Sequence, residues 1–101
     1  MTVYVDDMRR LATVGRFTAR WSHLMADTDE ELHEFAARIG MRRSWHQKAG
    51  TPLSHYDVTD SRRDHALRLG AVPIGYMSEE SKNLLRRKRA EFLAAKESDK
   101  P

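Results

Sequence analysis

The chain has 101 residues, of which 33% are charged, with a formal net charge of +3 and a mean hydropathy of -0.73. This length allows one hydrophobic core and excludes a second. Cysteine is absent, which excludes disulfides, thiolate metal sites and cysteine nucleophiles, so any metal needs histidine and carboxylate ligands. The first residues include acids, whereas a signal peptide begins with a basic region followed by an apolar one. No apolar run reaches the length of a transmembrane helix. We therefore expect a cytoplasmic protein with no membrane partner.

The N-terminal quarter favours two strands. Residues 2–5 alternate β-favouring side chains and are followed by Asp6 and Asp7, which predicts a short strand with carboxylates at its C-terminal end. Residues 8–15 show no clear preference for helix or strand, and the segment ends at Gly15. Residues 16–26 predict a second strand. Its alternation places the following side chains on one face: Phe17, Ala19, Trp21, His23 and Met25.

The segment ADTDEELHEFAARIG predicts the clearest helix, over residues 28–39. Thr28 is the expected N-cap with Glu31 three residues later, acids fill the first turn, and Gly40 stands at the expected end. His33 lies about 100° around the helix from Leu32, at the boundary of the buried stripe, where it can reach a cleft beside the core. That stripe consists of Leu32, Phe35, Ala36 and Ile39.

The second half of the chain combines a long connection with two helices. Residues 41–57 are polar and aromatic and predict a connection with a turn near Gly50. Thr59 or Ser61 is the expected cap of a helix over residues 60–69. The residues AVPIGY predict an edge strand, because Pro73 cannot donate to a central ladder.

The C-terminal part predicts a basic helix over residues 79–96 and a flexible tail over residues 97–101. The predicted fold is α+β. It is a single small domain over residues 1–96, in which a short sheet is covered by about three helices.

The side chains suited to chemistry form a set rather than a motif. Histidine and carboxylate ligate Zn, Mn or Fe when thiolates are absent, and they act as general acids and bases near neutral pH. Structural roles are the alternative for each residue, for example Asp27 as a helix cap or Asp57 as a turn residue. No P-loop, dinucleotide, zincin or nucleophile-elbow motif is present. The set comprises Asp6, Asp7, His23, Asp27, His33, His55, Tyr56 and Asp57.

Two segments suit anionic partners. RRSWHQK combines cations with Trp45 and Gln47, which could stack on and hydrogen-bond a nucleobase; the alternative is a solvated connection with its tryptophan in the core. KNLLRRKR has five basic residues and no acid between positions 82 and 89. It could follow a phosphate backbone, or it could be the solvated face of a terminal helix with the stem of Lys88 lying along the apolar stripe.

The chain resembles domain-of-unknown-function family 4031, a family of bacteria and their phages. The resemblance rests on MTVYVDD, WSHLMADTDEELHEFAARIGM, W-x-Q, HYDVT and RLGAV, covers residues 1–73 and leaves the basic helix outside. The resemblance implies that polar residues from three segments of the chain belong to one common arrangement. It also implies that the protein comes from a bacterium or a phage. His46 stands where the family often has phenylalanine. The pattern falls on Asp6, Asp7, Trp21, His23, Asp27, Leu32, His33, Phe35, Trp45, Gln47, His55, Tyr56 and Asp57.

From these observations we predict one polar pocket, where the end of the first strand meets His23, the His33 face of the helix and residues 55–57. The predicted metal ligands are Asp6, His23 and His55. The predicted catalytic residues are His33, His55 and Asp57. The predicted ligand-binding residues are Trp45, Gln47, Tyr56 and Arg62.

The predicted function is binding or hydrolysis of a nucleotide or another phosphorylated small molecule, with a divalent metal as the candidate cofactor. The alternative is a non-enzymatic protein that binds a host protein or nucleic acid through the basic helix.

Overall fold

The computed structural model describes residues 2–98 and shows a compact α+β domain with a mixed sheet. This confirms the predicted fold class. Among the described residues, no helix combines the length and apolar character that crossing a lipid bilayer requires. The elements in chain order are β1 (Val3–Val5), β2 (Arg10–Val14), β3 (Phe17–Ala26), α1 (Asp29–Arg38), a 3-10 turn (Arg43–Trp45), β4 (Tyr56–Thr59), α2 (Asp60–Arg68), β5 (Val72–Pro73) and α3 (Glu79–Ser98).

Strand β3 is the centre of the sheet and pairs antiparallel with β1, β2 and β4. Leu24 pairs with residues of both β1 and β4, and Trp21 pairs with residues of both β2 and β4. Because a strand residue has one partner at each edge, β1 and β2 follow each other along one edge of β3, and β4 occupies the other. Strand β5 adds to β1 in parallel, as suits the short edge strand expected around Pro73.

Alternation along β3 gives the sheet two different faces. Ser22, Leu24 and Ala26 are at most 1% exposed and point into the main core. His23 and Met25 point the opposite way; they are half-buried and lie beside α3. The main core, between the sheet and helices α1 and α2, includes Val5, Leu24, Leu32, Phe35, Ala36, Ile39, Tyr56, Val58 and Ala66.

Local signals explain where the first two helices begin. Thr28 Oγ1 accepts the backbone N–H of Glu31 at 3.2 Å and donates to Glu31 Oε1 at 3.1 Å, which confirms the capping interaction predicted for α1. Thr59, rather than Ser61, caps α2, since Thr59 Oγ1 accepts the backbone N–H of Arg62 at 3.4 Å.

Strand β4 corrects the prediction of an irregular connection through residue 57. Tyr56 and Val58 are buried on one face, whereas Asp57 and Thr59 are half-buried on the other. Four residues are too few for alternation to stand out from the sequence, particularly when the last of them also caps a helix. The connection between α1 and β4 is therefore shorter than predicted, and it is further ordered by the pairing of Gln47 with His55.

Helix α3 lies over the half-buried face of the sheet. It extends to Ser98, beyond the predicted end at residue 96, and residues 99–101 of the predicted tail lie outside the described residues. Leu84 is 6% exposed, and the Arg87 guanidinium donates to the Tyr4 hydroxyl and to the Asp27 carboxylate. These contacts attach the N-terminal half of α3, while residues 93–97 are exposed.

Candidate metal centre

Two neighbouring strands bring three predicted site residues together on the half-buried face. His23 of β3 and Asp57 of β4 are directly opposite each other in the sheet register. His55 precedes β4 in the same extended segment. Because alternate residues of an extended segment share a face, His55 and Asp57 both lie beside His23.

The geometry of this group, which we call the first cluster (His23, His55 and Asp57), suits a shared ligand. The imidazole centroids of His23 and His55 are 5.1 Å apart, and His55 Nε2 lies 3.3 Å from Asp57 Oδ1. One possible ligand atom from each residue lies within 4.8 Å of the other two. A metal about 2.0–2.2 Å from each ligand holds the ligand atoms roughly 3–3.5 Å apart, so small side-chain rotations would complete the site.

Asp6 lies behind His23 rather than beside it. Asp6 Oδ2 accepts from His23 Nδ1 at 2.7 Å, and Oδ1 accepts the backbone N–H groups of His23 and Met8 at 2.9 and 3.2 Å. This hydrogen bond raises the pKa of His23 despite its burial. With Nδ1–H held by a carboxylate that is 2% exposed, Nε2 is the nitrogen left for a ligand. This is the usual arrangement of a metal-binding histidine and its outer carboxylate.

His55 and Asp57 are also fixed by outer partners. His55 Nδ1 lies 2.8 Å from the carbonyl oxygen of Leu53, and a carbonyl can only accept, so this nitrogen carries a proton. Asp57 Oδ2 accepts from Gln47 Nε2 at 2.6 Å. The hydrogen bond with His55, supported by Gln47, outweighs burial and lowers the pKa of Asp57. His55 Nε2 therefore faces an ionised carboxylate, and either a proton or a metal cation can occupy the place between them.

A cleft of about 230 Å³ adjoins the first cluster. His23 and His55 line it, and its other walls mix two lysines, Lys48 and Lys88, with an aromatic ring and apolar side chains. Burial lowers the pKa of Lys88. The ring of Tyr76 stacks near His23, with 6.0 Å between centroids and 20° between planes. The apolar walls include Met25, Leu53, Leu84 and Leu85.

His33 and Tyr56 lie on the opposite side of β4, so the predicted single pocket is divided into two groups. The side chain of Tyr56 points to the opposite face of the strand from those of His55 and Asp57. It lies in the core, where it is 1% exposed. His33 Nδ1 and the Tyr56 hydroxyl are 2.8 Å apart. The ring of His46 lies 4.4 Å from that of His33 and 5.3 Å from that of Tyr56.

Trp45 and Arg62 contact each other in a third group. The Arg62 guanidinium lies 5.4 Å from the centre of the Trp45 ring, and its Nε and Nη2 donate to the carbonyl oxygens of Ile39 and Gly40, at 3.4 Å each. Arg62 thus satisfies carbonyl groups at the end of α1. Trp45 is 41% exposed rather than packed in the core. A ligand-binding role for this pair stays a prediction.

The two lysines and the tyrosine of the cleft were not predicted as site residues: Lys48, Tyr76 and Lys88. The position of Lys88 near the centre of an apolar helical stripe was the signal available, because a cation there must lie against apolar surface. Tyr76 follows an edge strand and Lys48 lies in a polar connection, and neither pattern is specific.

The fold and its histidine and carboxylate groups define a small α+β protein with candidate metal sites. The family described as "Protein of unknown function (DUF4031)" matches residues 3–90, and the chain belongs to that family. The match continues past residue 73, so the first part of the basic helix lies inside the family region. No curated protein and no solved structure matches the chain.

Proposed function

We propose that this protein binds a divalent metal through His23, His55 and Asp57 and uses it to bind and hydrolyse a phosphorylated small molecule. The observation that carries the proposal is the approach of one ligand atom from each of these residues to within 4.8 Å of the others, beside a cleft that contains two lysines.

The donor set fits a catalytic metal. Two imidazole nitrogens and one carboxylate oxygen occur in catalytic zinc sites and in non-haem iron sites, and three protein ligands leave positions for water and substrate. Asp57 takes the third ligand position, which the sequence interpretation gave to Asp6. Both oxygens of Asp6 already accept hydrogen bonds, from His23 and from the backbone N–H of Met8. Asp6 therefore orients the metal ligand His23 instead of binding the metal itself.

The cleft favours a small anionic substrate. Lys48 and Lys88 supply positive charge, and Met25, Leu84 and Leu85 supply apolar surface. A volume of about 230 Å³ is below the roughly 300–1,000 Å³ of pockets that enclose drug-sized ligands. A phosphomonoester with a compact organic group, or one end of a nucleotide, matches this size and charge.

The chemistry divides between the metal and the protein. A divalent metal held by His23, His55 and Asp57 would supply Lewis acidity and would lower the pKa of a water molecule bound to it. Lys88, in a half-buried setting, would neutralise charge that develops on the phosphoryl oxygens. Hydrolysis forms a bond from water oxygen to phosphorus and breaks the ester P–O bond, with a proton from the water passing to the leaving oxygen.

The alternative, a nucleic-acid or host-protein contact through the basic helix, has less support. Arg86 contacts Asn83, Arg87 pairs with Asp27, and Lys88 lines the cleft. Three of the five basic residues between positions 82 and 89 therefore already contact other side chains of the protein or line its cleft.

Equilibrium dialysis with Zn²⁺ and with Mn²⁺ tests the metal centre. We expect His55→Ala and Asp57→Asn to weaken binding at this site by more than about 100-fold, since removal of outer partners alone typically costs 10–100-fold. His65→Ala is the matched control, because His65 lies on α2 outside the cluster. Release of inorganic phosphate from phosphomonoesters by the metal-loaded protein, lost in the same two variants, tests the hydrolytic part. Equal binding by the wild type and both variants would refute the proposed centre.

A further inference from the structure

A second histidine and carboxylate cluster lies on the core side of β4. Its members are Asp29, His33 and His46, and one possible ligand atom from each lies within 4.8 Å of the other two. We propose that this second cluster binds a borderline divalent metal such as Zn²⁺, with water completing its coordination, and that the bound ion ties residues 46–55 to helix α1.

The local fold explains how the three side chains meet. Asp29 and His33 are four residues apart on α1 and therefore project from the same face of the helix. His46 immediately follows the 3-10 turn, and its ring meets that of His33 edge-on, at 4.4 Å between centroids and 88° between planes. A helix and the connection that follows it thus provide two imidazoles and one carboxylate, a donor set that zinc accepts.

Buried hydroxyl groups hold both imidazoles in place. His33 Nδ1 bonds to the Tyr56 hydroxyl at 2.8 Å, and His46 Nε2 bonds to the Ser54 hydroxyl at 2.6 Å. Tyr56 is 1% exposed and Ser54 is fully buried. Each hydrogen bond uses one nitrogen of its ring and leaves the other nitrogen for a ligand, as in the outer shell of known metal sites.

An ion at the second cluster would act on the segment that leads to the first. Residues 46–55 begin at His46 and end at His55, and they include Lys48, which lines the cleft. The contact of Gly50 N–H with Asp29 Oδ2, at 3.1 Å, already holds this segment to α1. An ion at the second cluster would strengthen that attachment and so help to position His55. This last consequence rests on the proposed function, whereas the binding of the ion itself does not.

A hydrogen-bonded network without metal is the competing explanation, because the hydroxyls of Tyr56 and Ser54 already satisfy one nitrogen of each ring. The two explanations differ in the response to metal. The network predicts that changes at Asp29 alter stability equally with and without Zn²⁺. Where the first cluster has been removed by His55→Ala, a second metal site predicts that Zn²⁺ stabilises the fold only while Asp29, His33 and His46 are present.

The deciding experiment counts Zn²⁺ per chain by equilibrium dialysis and follows thermal unfolding with Zn²⁺ and with EDTA. We expect two ions in the wild type, one in His55→Ala, one in Asp29→Asn and none in the double variant, with two retained in the control His65→Ala. In the His55→Ala background, Zn²⁺ should raise the unfolding midpoint, and adding Asp29→Asn should abolish that shift. Asp29→Asn is a conservative change of a half-buried side chain. If the Asp29→Asn variant does not fold, His46→Gln provides a second variant of the same cluster.

The outcomes separate this inference from the proposed function. One ion in the wild type that is lost in His55→Ala but kept in Asp29→Asn would overturn the second site and leave the first. One ion with the opposite pattern would support the second site and overturn the first. Absence of bound Zn²⁺ in the wild type would overturn both.

Discussion

His55 and Asp57 meet at 3.3 Å, between Nε2 and Oδ1, because they occupy alternate positions of one extended segment. Tyr56, which stands between them in the sequence, points to the opposite face and bonds to His33. The three adjacent residues of HYD therefore serve two different clusters. Strand alternation separates a candidate metal centre at the cleft from a hydrogen-bonded group at the core.

Asp6→Asn should lower the pKa of His23 and weaken metal binding at the first cluster by about 10–100-fold, the usual effect of losing an outer carboxylate. An NMR titration of the His23 ring protons and a Zn²⁺ titration measure the two effects. Asp7→Asn is the matched control: Asp7 is exposed and accepts the Tyr76 backbone N–H. A His23 pKa that is the same in Asp6→Asn and in the wild type would contradict the assigned role of Asp6.

The metal-free protein should lose stability on both sides of pH 6.5, the ordinary histidine pKa. The pKa of His23 is raised, so its contribution is fully present below pH 6.5 and is lost as the pH rises through the raised value. The pKa of His33 is lowered, so its contribution is present above pH 6.5 and is lost as the pH falls toward the lowered value. Urea unfolding in EDTA across this range measures both.

The Asp6→Asn variant separates these two contributions. The loss of stability above pH 6.5 should be absent in it, because the cause of the raised pKa is gone, while the loss below pH 6.5 should remain. If the alkaline loss persisted in Asp6→Asn, it would have to come from groups other than His23.

Tyr56→Phe should lower the free energy of unfolding by about 1–3 kcal/mol, because it leaves the partly buried nitrogen of His33 without its hydroxyl partner. Chemical denaturation measures this change. Tyr76→Phe, at a side chain that is 47% exposed, should change stability by less than about 0.5 kcal/mol. Equal effects of the two substitutions would mean that the bond between Tyr56 and His33 contributes nothing to stability.

Lys88→Gln should weaken binding of inorganic phosphate to the metal-loaded protein by about 10–100-fold. A hydrogen bond to a charged group contributes about 1.5–3 kcal/mol, and each 1.4 kcal/mol corresponds to about tenfold in affinity. Isothermal titration calorimetry provides the measurement. Lys82→Gln, an exposed position on the same helix, should leave the affinity unchanged. If both substitutions had the same effect, the cation of Lys88 would not be specific to the cleft.

Helix α1 could be predicted in detail because its signals are local: Thr28 and Glu31 form the cap, and the apolar spacing defines the buried stripe. The two clusters depend on contacts that are distant in sequence. Asp6 reaches His23, and His23 reaches Asp57, only through the register of three strands. Most of these side chains could be predicted as site residues, but the face that each one occupies could not, because β4 is too short for its alternation to stand out from the sequence.

The most direct test of the metal centre is an anomalous difference map from crystals grown with Zn²⁺. We expect a peak about 2.0–2.2 Å from His23 Nε2, His55 Nε2 and a carboxylate oxygen of Asp57, with Asp6 still bonded to His23 Nδ1. A map with no zinc at His23, His55 and Asp57, whether or not zinc occupies the second cluster, would contradict the proposed centre.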